Sequence, residues 1–284
     1  MHIPDGFLTA PVWGSLAAVS GVGVAVSARF AQKEVALDNG RQLPMLGVMG
    51  AFVFAAQMVN FPVGMGTSGH LVGGTLLAAS LGPWSASIVM TAVLLLQALV
   101  FQDGGVLALG ANVCNMALAG VWAGYLPVAF SGNKQNRFSL FLGGLLSVSA
   151  SAALALSELW YSGVRPPFAV LQTGCVFLLV TALIEGLITV VIARAAGIRL
   201  AAADPQTGRW PRPALAAGIM ALLILAIALA SQSPDALQGL LGMSGEPAPW
   251  QQRALSGLGG MAILFFACVI AAWCWDRFMR NKDA

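Results

Sequence analysis

The chain has 284 residues, 58% hydrophobic and only 9% charged, with a mean hydropathy of +0.82. Soluble domains carry roughly 25% charged residues, so this composition excludes a soluble globular protein. The 14 Lys and Arg against 11 Asp and Glu give no reason to expect a nucleic-acid partner, and it is their distribution along the chain that carries information. Several apolar runs approach or exceed the ~20 residues needed to cross a bilayer, which predicts an all-α, polytopic membrane bundle.

Nine apolar segments occur in chain order, at roughly 8–28, 44–61, 69–82, 84–101, 106–128, 138–161, 168–193, 213–231 and 254–275. The third is short for a crossing, and its lead-in GTSGHLVGG predicts a re-entrant or partly unwound entry. Irregular backbone at membrane depth is tolerated only where protein buries it or a cavity lies beside it, so a binding site is expected there. The polar stretch GIRLAAADPQTGRWPR, with its Pro and Gly residues, reads as a linker. The expected organisation is a seven-helix domain over 1–196, a cytoplasmic linker over 197–212, and an appended two-helix module over 213–284.

Basic residues orient a polytopic chain, because loops rich in Lys and Arg stay inside. With the N-terminus outside and the C-terminus inside, the inner loops hold Arg29, Lys33, Arg41, Lys134, Arg137, Arg194, Arg199, Arg209, Arg212, Arg277, Arg280 and Lys282. Only Arg165 and Arg253 of the 14 basic residues then lie outside. The reverse orientation would expose twelve, so it is rejected. The four cysteines, Cys114, Cys175, Cys268 and Cys274, fall in or beside apolar segments without metal-ligand spacing and read as inert buried thiols. The N-terminus lacks the basic region of a secretory signal. The mature chain is therefore expected to begin at Met1, whose removal the bulky His2 would hinder.

The chain has two histidines, His2 in the opening MHIPDGF and His70 in FPVGMGTSGHLVGG. A free α-amino group, the His2 backbone nitrogen and the His2 imidazole form a tridentate clamp whose fused chelate rings hold three nitrogens nearly coplanar. His70 is the other imidazole able to fill the fourth position. Four nitrogens in a plane suit Ni(II) or Cu(II), whereas Zn(II) prefers a tetrahedron. Taken alone, His2 on a frayed terminus is the commoner arrangement. The orientation shifts the balance, because it puts His70 on the same side of the membrane as the N-terminus. Asp5, Asn60, Thr67, Ser68, Gln102 and Asp103 lie at the same outer ends. Asp5 and Asp103 are candidates to accept the second N–H of a metal-bound imidazole, to attract cations, or merely to be solvated at the interface. Pro4 and Gly6 favour a sharp turn after His2. Asn112 and Asn115, three apart on one helix face, line the site or bridge helices.

Small residues recur four apart at Ala17, Gly21 and Ala25 and at Gly47, Ala51 and Ala55, which lets helices approach closely in lipid. Glu185 is the one deeply placed acid of the seventh segment, either functional or neutral and hydrogen-bonded. No Gly-x-x-x-x-Gly-Lys-Ser/Thr phosphate loop is present. No nucleophile–His–acid arrangement remains once both histidines are assigned. The chain therefore reads as neither an ATPase nor another enzyme. A self-sufficient secondary carrier would need intramembrane charge on several helices, and it ranks below a capture component.

The stretches MHIPDGFL, LPMLGVMGAFVFAAQMVNFPVGMGTSGHLVGG through LGPW, and LQALVFQDGGVLALGANVCNM resemble the membrane substrate-binding (S) component of energy-coupling-factor importers for nickel and cobalt. The resemblance spans about residues 1–195 and is nearer the nickel branch (NikM) than the cobalt branch (CbiM). The last two segments, with SPDALQGLLG between them, resemble the small NikN/CbiN partner, here fused. Ala236 stands where that partner usually has Gly, and Gln238 where it has Glu. The resemblance implies a subunit of the plasma (inner) membrane that takes up Ni(II), with Co(II) as the alternative. It implies ligation by Met1, His2 and His70, and no bound organic cofactor. It also implies work with a transmembrane coupling (T) component and two cytoplasmic ATPase (A) subunits.

Overall fold

The computed structural model describes residues 1–37, 43–58, 60–64, 67–132, 136–195 and 236–242. The expected linker over 197–212 and the expected helices over 213–231 and 254–275 lie outside these residues, as do Cys268 and Cys274. The described chain is mostly helical, as apolar segments must be when lipid offers their backbone no hydrogen-bond partner.

Helix α1 runs Ala10–Leu37 and α2 runs Leu43–Gln57. Beyond α2 lies a hairpin of β1 (Asn60–Gly64) and β2 (Thr67–His70). Next come α3 (Gly74–Leu81), α4 (Pro83–Leu96) and a π-helical turn over Gln97–Phe101 that extends α4. A second long helix is built from α5 (Leu109–Asn112), a π-helical stretch (Val113–Gly120) and α6 (Val121–Phe130). Helices α7 (Arg137–Tyr161) and α8 (Phe168–Ala195) complete the bundle, and the short α9 covers Ala236–Leu240. Among the described residues five helices are long and apolar enough to cross a membrane: Ala10–Lys33, Pro83–Phe101, Leu109–Phe130, Arg137–Tyr161 and Phe168–Arg194.

The expected second segment, 44–61, is corrected by the hairpin. Helix α2 stops at Gln57, and Asn60 pairs with His70 in an antiparallel register that is irregular between Pro62 and Gly64. Pro62 cannot donate to a helical ladder and Gly64 disfavours one, so the chain does not resume a helix after α2. This hairpin is a β element that an all-α reading did not contain. After His70 the backbone stays non-helical through Gly73, whose φ is +79°, in keeping with the expected unwound entry. Gly82, at φ +81°, then separates α3 from α4, and Pro83 starts α4 without needing the N–H it lacks.

Helices α7 and α8 touch through glycines. A Cβ on Gly144 would lie 2.7 Å from the Gly186 Cα. The same device joins α5 to α1, where a Cβ on Gly110 would lie 2.5 Å from the Ala17 Cα. The main core gathers Met49, Phe52, Leu76, Met90, Met116 and Val148 between α2, α3, α4, the π-helical stretch and α7. A second cluster sits at the end of the bundle that holds the N-terminus. There Ile3 is buried with Ala111, Leu159 and Leu237, so α9 covers the same end as the first residues of the chain.

Candidate metal centre

The first three residues are inside the protein. Met1 is 6% exposed, His2 2% and Ile3 0%. Burying a chain terminus removes an amine and several peptide groups from water, and each must find a partner. The partners come from the 101–112 region. Ile3 donates its N–H to Asn112 Oδ1 at 2.8 Å, and its carbonyl accepts from Asn112 Nδ2 at 3.1 Å and from Gly105 N at 3.0 Å. Asn112 thus bonds Ile3 as a neighbouring strand would. Two residues on, Asp5 accepts the N–H groups of Val106, Leu107 and Ala108 at 3.0, 2.8 and 3.2 Å. Gly6, at φ +90°, turns the chain out toward α1.

This anchoring brings the two histidines together. The Met1 amine stands 2.7 Å from His70 Nε2. The other ring nitrogen of His70 faces the Leu71 carbonyl at 3.0 Å. A carbonyl only accepts, so Nδ1 carries the proton and Nε2 turns its lone pair to the amine. The His2 and His70 rings are parallel within 6°, with centroids 5.8 Å apart. His2 Nδ1 lies 3.5 Å from Asp103 Oδ1, while His2 Nε2 is buried with no hydrogen-bond partner among the described residues.

Asp103 is aimed by an unusual turn. Gln102 has φ +55°, the one positive value outside glycine among the described residues, and Gly104 has φ +97°. A Cβ on Gly104 would come within 3.1 Å of the His2 Cβ, so the loop can lie against His2 because nothing projects there. The crowding around Asp103 raises its proton affinity. The His2 ring with its hydrogen bond, His70 and the terminal amine act more strongly the other way, and together they hold the carboxyl well below the usual carboxylate range.

The predicted residues separate into roles. Met1, His2, His70 and Asp103 converge. Asp5 is close by in sequence but serves the 106–108 backbone instead of an imidazole. Asn60, Thr67 and Ser68 lie on the hairpin, with Asn60 opposite His70 in the register. Asn112 holds the N-terminal segment, whereas Asn115 bridges helices through a 2.8 Å bond to Glu158. The pairing of Asp5 with the 106–108 turn escapes sequence reasoning, and its one local signal is the turn-forming DGG before Val106. Among the described residues no group of three His, Cys, Asp or Glu side chains is placed to hold a metal. Such a group consists of side chains, whereas the group facing His70 here is the amine of the chain terminus.

Fold and site together define a multi-pass membrane protein whose buried N-terminus meets His70 at one end of a helical bundle. Residues 2–200 match the family described as the cobalt uptake substrate-specific transmembrane region, CbiM, and the chain belongs to that family. The fused nickel transport protein NikMN of Rhodobacter capsulatus is 35% identical over 174 residues, covering 59% of this chain and 48% of that protein. The probable fused nickel transport protein LarMN of Lactiplantibacillus plantarum is 38% identical over 177 residues, covering 61% of this chain and 52% of its own length. The matched part of the chain thus spans about half the length of these two fused relatives. The cobalt transport protein CbiM of Clostridium tetani is 31% identical, over 68% of this chain and 82% of that protein. A crystal structure described as a truncated transition-metal transporter superposes with a TM-score of 0.60 at 31% identity, over 68% of this chain and 97% of its own.

Proposed function

We propose that this protein is the substrate-capture subunit of an ATP-driven, energy-coupling-factor importer and that its substrate is Ni(II). The observation that carries this reading is the buried amine of Met1 set 2.7 Å from His70 Nε2. With metal–nitrogen bonds of ~2.0 Å, adjacent corners of a square plane are ~2.8 Å apart. The two nitrogens therefore already stand at the separation that a planar ion needs. The His2 backbone nitrogen and imidazole complete the set of four, and the His2 ring lies near His70, with centroids 5.8 Å apart. Asp103 supplies negative charge that draws a cation to the site, and its approach to His2 Nδ1 gives way when that nitrogen takes the ion.

Planar four-nitrogen geometry favours Ni(II) over Zn(II). Co(II) is the second reading, supported by the family's description and the cobalt relatives. In this proposal the N-terminus lies outside and the C-terminus inside, so the pocket takes its ion from the outer face. Residues 213–284 form the fused NikN/CbiN-like module beyond the 197–212 linker. The burial of Leu237 beside Ile3 in one cluster supports a module that works at the capture site. A T component and two A subunits supply the energy. The test is a competitive titration of native-terminus protein with Ni(II), Co(II), Cu(II) and Zn(II). Preference for Ni(II) over Co(II) and Zn(II) supports the assignment, and preference for Zn(II) refutes the planar site.

A further inference from the structure

Glu185 lies on α8, is 1% exposed, and is among the largest fully buried side chains. Its two carboxylate oxygens accept the backbone N–H groups of Val72 and Gly73, each at 2.8 Å. Those residues are the unwound stretch between His70 and α3. The carbonyl of Val72 is held from the opposite side by Gln57 Nε2 at 2.7 Å, and Gln57 Oε1 accepts from Gln97 at 2.7 Å. A peptide in this stretch has no helical or sheet ladder of its own. An isolated buried N–H is costly, so the carboxylate and the amide together determine where this backbone sits.

The placement reaches His70 through one residue. His70 Nδ1 is bonded to the Leu71 carbonyl, and that carbonyl belongs to the peptide whose N–H, on Val72, Glu185 accepts. One peptide unit therefore fixes the tautomer and tilt of the His70 ring at its oxygen and is anchored to α8 at its nitrogen. We infer that Glu185 is the positioning residue of the capture site, holding the Leu71–Val72 peptide so that His70 presents Nε2 to the amine and the metal. The inference rests on the proposed metal-capture function. It gives the deep acid a role in setting the geometry of one ligand, with no charge transfer and no second ion.

The experiment compares Ni(II) affinity and the visible absorption of the bound ion in full-length wild type, Glu185→Ala, Glu185→Gln, His70→Ala and the double variant His70→Ala/Glu185→Ala. Outer-shell partners of metal ligands typically contribute about 10–100-fold to affinity, and a loss of that size is expected for Glu185→Ala. Its spectrum should shift toward that of His70→Ala, because the three-nitrogen clamp of Met1 and His2 remains. Glu185→Gln keeps one acceptor oxygen and should fall between wild type and Glu185→Ala. If Glu185→Ala does not fold, Glu185→Gln is judged by the same criteria. In the double variant the Glu185 change should add nothing to the His70 loss, since both act on one ligand. Wild-type affinity in both Glu185 variants, while His70→Ala has lost binding, overturns the inference. So does a double variant in which the two losses simply add. If His70→Ala itself binds as wild type does, the capture site is wrong, and that result is distinct from either.

Discussion

At the scale of single residues, the proposed site rests on nitrogen atoms with different surroundings. His70 keeps its proton on Nδ1 for Leu71 and its lone pair on Nε2 for the amine. His70→Ala is therefore expected to weaken Ni(II) binding by more than the ~10–100-fold typical of outer-shell changes. His2→Ala should do at least as much, because it removes a ligand and opens a chelate ring. Isothermal titration of the purified variants, with helicity checked by circular dichroism, gives the answer. Equal affinity in wild type and His70→Ala would remove His70 from the site. Both histidines were legible in the sequence, as the only two imidazoles of the chain on a common side of the predicted bundle. The division of labour between the aspartates was not legible. Asp5 and Asp103 are equivalent on paper, and only the turn through Gln102 and Gly104 decides which of them meets His2.

Among the elements, the N-terminal segment is held like an added strand by the chain around Gly105–Asn112. Asn112 supplies a donor and an acceptor to Ile3, and Asp5 satisfies three N–H groups of the 106–108 turn. Asn112→Leu keeps a similar volume but leaves the buried Ile3 N–H unpaired, at a cost of about 1–3 kcal/mol. The predicted result is weaker Ni(II) binding with the membrane helices intact and faster hydrogen exchange at the N-terminal amides. Unchanged affinity would mean that the terminus is held by other contacts. The long apolar helices were legible because periodicity and length leave little choice: Pro83–Phe101, Arg137–Tyr161 and Phe168–Ala195 fall within a few residues of the segments read at 84–101, 138–161 and 168–193. The β1–β2 hairpin was not. Its first residues fall at the end of an apolar segment and the rest in the gap before the next, where Pro and Gly signal a stop but not a strand. Glu185 was legible as a deep acid, but its partners lie 112 and 113 residues away in sequence, beyond the reach of local pattern.

For the whole molecule, family membership and the transport character of the relatives agree with a bundle whose conspicuous polar site is at one end. The proposed orientation puts that end outside. Single cysteines introduced as Lys134→Cys and Arg165→Cys in a cysteine-free background should therefore react differently with an impermeant reagent on intact cells, the first protected and the second labelled. Labelling of residue 134 from outside would reverse the topology and place the pocket on the inner face.

The central claim concerns the first covalent bond of the chain. If the Met1 amine is a ligand, converting it to an amide removes its basic lone pair and displaces the free terminus, although both imidazoles survive. The direct measurement is Ni(II) affinity for protein with the native terminus, protein extended by a few residues ahead of Met1, and protein tagged after Ala284, each checked for folding. The extended form should lose binding about as severely as His2→Ala, while the C-terminally tagged form binds as native protein does. Native affinity in the extended form would contradict the amine clamp and leave His2 and His70 in need of other roles.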